Sequence, residues 1–240
     1  MNKIESILND TEHRPWELPT GPWQYYQEWN RALFLHWEIP LDTLRHCIPN
    51  RLTIDSINGR CYVSLVAFTM ENLRPANLPS CGLISNFHEV NLRTYINHNN
   101  KKGVYFLSID VSKYLSAFIA KKLSGLPYEK SFITRTHHQY SLINEEKNIN
   151  FNTEYDIKSL LVNKTELDKW LTERYCLYLN KKNKLYRYDI HHKEWEIKVL
   201  DLKKNSLDFN LNGINLTDKP PDISHYSDGI KVISWNKQLI

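Results

Sequence analysis

Glycine is scarce in this chain. Its 240 residues hold seven glycines, none in a Gly-x-Gly-x-x-Gly or Gly-x-x-x-x-Gly-Lys setting, so no backbone cradle for a nucleotide phosphate is visible. The four cysteines, Cys47, Cys61, Cys81 and Cys176, are far apart and form no Cys-x-x-Cys pair. That removes the usual zinc and dithiol signatures and leaves buried, reduced thiols as the expectation. No stretch approaches the roughly 18 apolar residues of a membrane-crossing helix, and residues 1–15 are polar and charged without an apolar segment. The expected location is therefore the cytoplasm, with no membrane partner. Charge of one sign is also lacking. A net charge of +4 from 31 basic and 27 acidic residues is spread along the chain without a basic and aromatic module, so nucleic acid is not an expected partner.

Apolar and aromatic residues are what the chain has in quantity. With 41% hydrophobic content, 14 Tyr and 7 Trp, it can bury a full core, and residues 1–240 are expected to form one β-rich domain. Ile4, Ile7 and Leu8 have the spacing of a short N-terminal helix, and Pro40 opens another that carries Leu41, Leu44 and Ile48 up to Pro49. Asn58-Gly59, between Leu52–Ile54 and Tyr62–Val66, predicts a hairpin with a type I′ turn. Residues 88–96 and 103–111 read as partner strands. Ser112 and Gly125 bracket a predicted helix with a stripe of Leu115, Phe118, Ile119 and Leu123. Further strands are expected at about 130–143, 149–155, 175–180, 185–190, 195–202 and 229–235, with a short helix from Thr165. Lys181-Lys182-Asn183-Lys184 reads as a turn tip. Many short strands and few helices predict a mostly β fold, an antiparallel barrel or sandwich.

The most informative segment runs from His88 to Ile96. Read as a strand, it sets Glu89, Asn91, Arg93 and Tyr95 in one row and Val90, Leu92, Thr94 and Ile96 in the other. On the residues alone, the polar row either faces water or lines a cavity, where an acid, an amide, a guanidinium and a phenol could orient a small polar ligand.

Several strings then occur in order: His13-Arg14-Pro15-Trp16, Gly21-Pro22-Trp23, Phe34-Leu35-His36-Trp37, Asn58-Gly59-Arg60, Asn91-Leu92-Arg93-Thr94-Tyr95, Gly125-Leu126-Pro127-Tyr128, Thr172 to Tyr178, and Ile190-His191-His192. Together they closely resemble the YqjF-like family of bacterial proteins, a domain of unknown function that is distantly similar to acetoacetate decarboxylase. The resemblance covers nearly the whole chain. It implies a closed or nearly closed antiparallel β-barrel with a small-molecule cavity inside, an architecture rather than a chemistry. In the decarboxylases a Gly-hydrophobic-Pro-Lys-Lys string supplies the Schiff-base lysine and the lysine that lowers its pKa. Gly125-Leu126-Pro127-Tyr128-Glu129 stands there in this chain, so both lysines are absent. Lys130 follows Glu129, whose charge would raise an amine pKa where imine chemistry needs it lowered. The resemblance also makes Glu89 the counterpart of a cavity-wall glutamate, and leaves an arginine role near Asn30 or Arg31 open.

With the barrel implied, Glu89, Asn91, Arg93 and Tyr95 move to the lumen, with Arg93 as anion anchor because a planar fork of donors matches a carboxylate. Arg93 against Glu89 as a structural pair is disfavoured, since the two lie about 13 Å apart along a strand. Of Glu173 and Arg174 one faces inward, and Arg174 is the choice; a junction salt bridge is the alternative. Tyr128 is either an oxyanion donor or a packing residue. His36-Trp37 and Arg14-Pro15-Trp16 read as packing, and His137-His138 and His191-His192 diverge on a strand, so no metal is expected. Ser64, Ser108 and Ser112 lack nucleophile-elbow glycines. No cofactor is expected. The expected function is binding of a small polar or anionic molecule. The alternative is a lyase- or isomerase-type enzyme without a Schiff base, acting on a small oxo or hydroxy acid with Glu89 as general base and Arg93, Tyr95 or Arg174 as stabilising groups. A filled cavity and a homo-oligomer working through its surface stay open.

Overall fold

A computed structural model describes residues 3–113, 116 and 125–240, and of these all side chains but those of Leu83 and Ile84. The strands are β1 (Tyr25–Ile39), β2 (Cys61–Pro75), β3 (Phe87–His98), β4 (Lys101–Val111), β5 (Tyr128–Lys130), β6 (Phe132–Arg135), β7 (Gln139–Asn144), β8 (Ile149–Leu160), β9 (Cys176–Lys181), β10 (Lys184–His191), β11 (Lys198–Asp208), β12 (Asn210–Leu211), β13 (Ile214–Asn215), β14 (Ile223–Ser234) and β15 (Gln238–Leu239). Short helices occupy Lys3–Leu8, Leu41–Arg45, Gly82–Ser85 and Glu166–Thr172. The helical stripe expected at Leu115, Phe118, Ile119 and Leu123 lies outside the described residues.

Among the described residues thirteen strands share one sheet, and seven of them close on themselves in the order β10-β9-β4-β3-β2-β1-β14 and back to β10. The expected fold class is met in this ring, with one correction: the sheet is mixed. β4 runs parallel to β9 and to β5, because the chain leaves β4 and pairs with it again only at residue 128 as β5 and at residue 177 through β9, so no tight turn forces the antiparallel direction. From β14 the sheet continues outward through β11, β8, β7 and β6. This extension folds back over β1–β3, where the Tyr140 hydroxyl donates to the Phe68 and Glu89 carbonyls at 3.3 and 3.1 Å.

The central strands are consequently buried on both faces. In β2 every residue from Cys61 to Met70 is buried; such strands read as continuous apolar runs rather than clean alternation. One face of β1–β3 supplies Leu33, Leu35, Val63, Leu65, Val90 and Leu92 to the large core under the extension. The other supplies Ala32, Phe34, Val66 and Phe68 to a second, inner core.

Local signals set several elements. Thr165 caps Glu166–Thr172 in a reciprocal capping box with Asp168. Asn99-Asn100 and Lys182-Asn183 take the left-handed conformation that two-residue hairpin turns demand. Asn58-Gly59 does too, but it closes only an Ile57–Arg60 bridge. Ile54 pairs instead with Ile96, so the expected hairpin is a turn without its first strand. The cysteines are all free, yet Cys61 and Cys176 alone are buried, Cys47 being half-buried and Cys81 exposed.

At the parallel seam Gly103 leaves room for the facing strand. A methyl group there would collide with the Cys176 carbonyl and thiol and stand 2.9 Å from the Tyr178 ring. Gly103→Ala is expected to cost about 1–3 kcal/mol of stability, the usual price of overpacking, read as a lowered urea midpoint at unchanged slope. A midpoint equal to wild type would show that the seam yields.

Candidate functional site

One bulge sets the wall of the site. Against β2 the register of β1 shifts between Asn30 and Leu33, and Arg31 sits at φ 55°, held by Nη2 on Glu71 Oε1 at 2.6 Å. An inserted residue reverses the alternation of faces. Hence Tyr25, Gln27 and Trp29 before the bulge and Ala32 and Phe34 after it all face one cavity. Opposite the bulge, Gly229 at φ 147° is paired with Asn30, whose Cα would lie 2.9 Å from any Cβ, so this position requires glycine.

The cavity measures about 200 Å³. Trp29, Phe34, Phe68, Phe106, Leu126 and Trp195 give it an apolar wall, and exposed Asn236 and Lys237 mark where it meets solvent. Five of the residues singled out in the sequence line it: Glu89, Asn91 and Arg93 from β3, Tyr128 from β5, and Arg174 from the turn after Glu166–Thr172. β3 puts the first three on one face at every second position, and all three are buried.

Their polar atoms are incompletely paired. Asn91 Nδ2 donates to Glu89 Oε1 at 2.9 Å. Glu89 Oε2, Asn91 Oδ1, Arg93 Nε and Arg174 Nη2, with Trp29 Nε1, have no hydrogen-bond partner among the described residues. Orphaned buried groups are rare, and a set of them around one cavity points to a ligand or to ordered water. Arg174 is held by Asp55, Nη1 to Oδ2 at 2.6 Å, by its Nε on the Trp170 carbonyl at 2.8 Å, and by the rings of Trp170 and Tyr95 at 4.3 and 4.7 Å. Both readings of Arg174 therefore meet in one residue: it faces the cavity and forms the junction salt bridge. Glu173 turns away and accepts from the Tyr175 hydroxyl at 2.6 Å. Arg93 makes no ion pair among the described residues and stands over Phe34 at 5.8 Å.

Burial decides the protonation of this set. Desolvation pushes the Glu89 carboxyl up to about 7, against the Asn91 hydrogen bond and the Arg93 charge that favour its anion. The same burial, then Glu89, pushes the Tyr128 phenol well up. Desolvation presses the Arg93 guanidinium down from its usual range, with Tyr95 favouring the charge. His192, also in the wall, is pushed down to about 3 by burial and is neutral.

The last member of the row differs. Tyr95 is fully buried but does not line the cavity; its hydroxyl lies 2.5 Å from Ser64 Oγ and donates to the Leu171 carbonyl at 3.0 Å. Behind it Ser64 Oγ is 2.6 Å from His36 Nδ1, His36 Nε2 is 3.2 Å from His225 Nδ1, and His225 Nε2 is 2.8 Å from Asp168 Oδ1. His36 is thus a network residue rather than plain packing, while Trp37 does pack, its Nε1 on the Lys219 carbonyl at 3.0 Å. No spacing in the sequence announces these partners. Ser64 is fully buried and outside the lining, so a substrate carbonyl has no route to it. Lys130 is exposed and outside the cavity; among the described residues the lysine that borders it is Lys237, whose Nζ stands over the Tyr186 ring at 5.2 Å. The histidine doublets are separated in kind. His137 and His138 are exposed at a turn, whereas His191 bonds the Ile7 carbonyl at 2.9 Å and ties the N-terminal helix to β10.

The chain belongs to the DUF2071 family of uncharacterised conserved proteins, which it matches over residues 26–231. It is 35% identical to the uncharacterised protein YqjF of Bacillus subtilis (strain 168) over 227 residues, covering 91% of this chain and 93% of that one. Among solved structures it resembles an acetoacetate decarboxylase-like enzyme from Sphingomonas wittichii RW1, with a TM-score of 0.62, 12% identity and coverage of 92% and 94%. Acetoacetate decarboxylase from Legionella pneumophila gives 0.58, 14%, 100% and 97%. The enduracididine biosynthesis enzyme MppR complexed with pyruvate gives 0.57, 11%, 94% and 93%. At these identities the likeness carries the fold alone.

Glu89 makes stability depend on pH. In the unfolded chain it loses its proton near 4.5, in the fold near 7, so the folded state holds more protons between these values and stability falls as pH rises through that window. Glu89→Gln is expected to stabilise the protein by about 2–3 kcal/mol at pH 8 and to change little at pH 4. Urea unfolding at both pH values checks this, and a loss of stability at pH 8 would mean that the carboxylate has a strong partner in the fold.

Proposed function

We propose that the cavity binds a small monocarboxylate with an apolar body, its carboxylate on Arg93 and its body among Trp29, Phe68 and Trp195. One observation carries this reading: Arg93 is buried at the cavity with an unpartnered Nε and no ion pair among the described residues. A guanidinium removed from water needs an anion, and its planar fork fits a carboxylate. Size agrees. An apolar cavity of about 150 Å³ accommodates benzene, so about 200 Å³ suits a ring or a branched chain with one carboxylate attached. Asn91 Oδ1 needs a donor, which a hydroxyl on the ligand would supply.

A second reading is favoured by Glu89. A carboxyl pushed up to about 7 in a mostly apolar cavity can take and return a proton at neutral pH, as a general acid or base must. The protein would then act on a small oxo or hydroxy acid, with Arg93 holding the carboxylate while Glu89 exchanges a proton further along the row. MppR, of the same fold, is complexed with pyruvate, a small oxo acid. Exposed Lys130 is unsuited to imine chemistry in this cavity, so acetone and borohydride are expected to leave it unmodified.

Native mass spectrometry of freshly purified protein, followed by titration with benzoate and related aromatic and branched monocarboxylates, tests the binding reading. Arg93→Lys keeps the charge but loses the fork. It is expected to weaken carboxylate binding by about 1–3 kcal/mol with a smaller shift in melting temperature. An Arg93→Lys variant that unfolds while its folded fraction keeps full affinity would make Arg93 structural. Affinity is also expected to fall as pH rises through 7, because Glu89 then becomes an anion beside the bound one.

A further inference from the structure

Residues 13–24 form a strap that takes no part in lining the cavity. Arg14 Nη1 donates to the Ile190 carbonyl at 2.6 Å and His13 Nε2 lies 2.7 Å from the His192 carbonyl, which ties one end of the strap to the end of β10. The other end is tied to β14, where the Gln24 amide donates to the Ser234 carbonyl at 2.8 Å and the Trp235 indole to the Gly21 carbonyl at 3.1 Å. Pro15, Pro19 and Pro22 stiffen the span between them. Residues 16–20 of that span wall a second pocket of about 400 Å³ against Lys101, Arg187, Asp189 and Gln238.

This pocket lies on the far side of the cavity wall. Tyr188 and Ile190 of β10 border the cavity, so the alternation of a strand turns Arg187 and Asp189 the other way, under the strap. The left-handed pair Asn99-Asn100 brings Lys101 to the same place at the start of β4. Three cations surround Asp189, whose side chain is buried. Arg187 Nε donates to Oδ2 at 3.0 Å. Arg14 Nη2 and Lys101 Nζ both stop short of Oδ1, at 3.8 and 3.9 Å, because aromatic rings hold them elsewhere. Arg14 stands over Trp16 and Tyr175 at 5.1 and 5.2 Å, and Lys101 over Trp16 at 5.5 Å. Asp189 Oδ1, Arg14 Nη2 and Arg14 Nε are buried without a hydrogen-bond partner among the described residues.

Two features define what would complete this cluster. An acceptor, Asp189 Oδ1, and two donors nearly 4 Å from it leave a position for an oxygen that both donates and accepts: a hydroxyl gives its proton to the carboxylate and takes a bond from either cation. Charge is the second feature. Arg14, Lys101 and Arg187 are set against Asp189 and the exposed Glu17 at the rim, so one positive charge is left over among the described residues that meet here. A hydroxylated monoanion answers both. Gln238 Oε1 already accepts from Arg187 Nη2 at 2.9 Å, which leaves its amide N–H groups, with the Thr20 hydroxyl, to bind further hydroxyls at the rim.

We propose that this pocket is a second binding site, separate from the cavity, for a small hydroxylated monocarboxylate of the sugar-acid type. One hydroxyl bridges Asp189 Oδ1 to Arg14 and Lys101, and the carboxylate takes the remaining donors of Lys101 and Arg187. The site does not rest on the carboxylate reading of the cavity. Water at Asp189 is the competing occupant, and the controls are chosen against it.

Calorimetric titration of the full-length protein with gluconate, glucose and acetate separates the parts, since gluconate carries both hydroxyls and charge, glucose only hydroxyls and acetate only charge. Gluconate is expected to bind at least about tenfold more tightly than either. A smaller margin over glucose overturns the anion, a smaller margin over acetate overturns the bridging hydroxyl, and no binding of gluconate at millimolar concentration means that the pocket holds water alone. Lys101→Met keeps the stem against Trp16 and removes the charge. It is expected to weaken gluconate binding by about tenfold or more, while Arg93→Lys in the cavity leaves that affinity unchanged. Unchanged affinity in Lys101→Met, or a loss in Arg93→Lys, overturns the site. Should Lys101→Met fail to fold, the wild-type protein labelled with 15N gives the location: gluconate is expected to shift the amides of Trp16, Thr20 and Lys101, and shifts confined to β3 would overturn the proposal.

Discussion

Arg93 is a guanidinium inside the ring of strands with no carboxylate at ion-pair distance among the described residues, and the interior is organised around that charge. A buried ion is tolerated when hydrogen bonds and opposite charge surround it. Here the surroundings divide the task. The phenol of Tyr95 favours the charge from one side, Glu89 favours it more distantly along the same strand, and the Phe34 ring faces it at 5.8 Å. None of these neutralises it. Arg174, equally buried, shows the contrasting solution, since Asp55 lies 2.6 Å from it. Two arginines border one cavity, and one of them is left with its charge unmatched.

The row that carries Arg93 was legible because a strand imposes period two on whatever sequence occupies it. Glu89, Asn91 and Arg93 had to share a face, and burial of the other face in the large core fixes which side they take. The helix that starts at Thr165 was legible too, because its start is set by neighbours in sequence. The β1 wall was not. Its bulge places an arginine in the left-handed region, where glycine or asparagine would be the usual sign, and the residue that permits it, Gly229, lies on β14. Likewise Arg174 and Asp55 are 119 residues apart, and His36 and His225 are 189 apart. Such partners are set by ring closure and by the parallel β4–β9 seam, which local pattern does not encode.

Tyr95 shows how a correct face can still give an incomplete role. It points to the interior as its neighbours do, but the cavity ends before it, because His36, Ser64 and the Leu171 carbonyl occupy the space that an open lumen would have offered. Polar residues there cost little only if every donor finds an acceptor. A chain anchored on the Asp168 carboxylate at one end and on the Leu171 carbonyl at the other meets that condition.

The likeness to acetoacetate decarboxylase-like enzymes is therefore one of fold, and the contents of the cavity are read from this chain's own residues. Tyr128 borders the cavity from β5, while Lys130, two residues on, is in solvent. The groups left to act inside are a carboxyl titrating near neutrality and an unmatched guanidinium, with a buried imidazole pair behind the cavity. Glu89 lies at one end of this set and the imidazoles at the other, with Arg93 between them. A ligand anion at Arg93 would raise the proton affinity of Glu89, since it adds a negative field there. On the carboxylate reading, binding is thus strongest where Glu89 holds its proton and the unmatched buried charge of Arg93 is the one the ligand cancels.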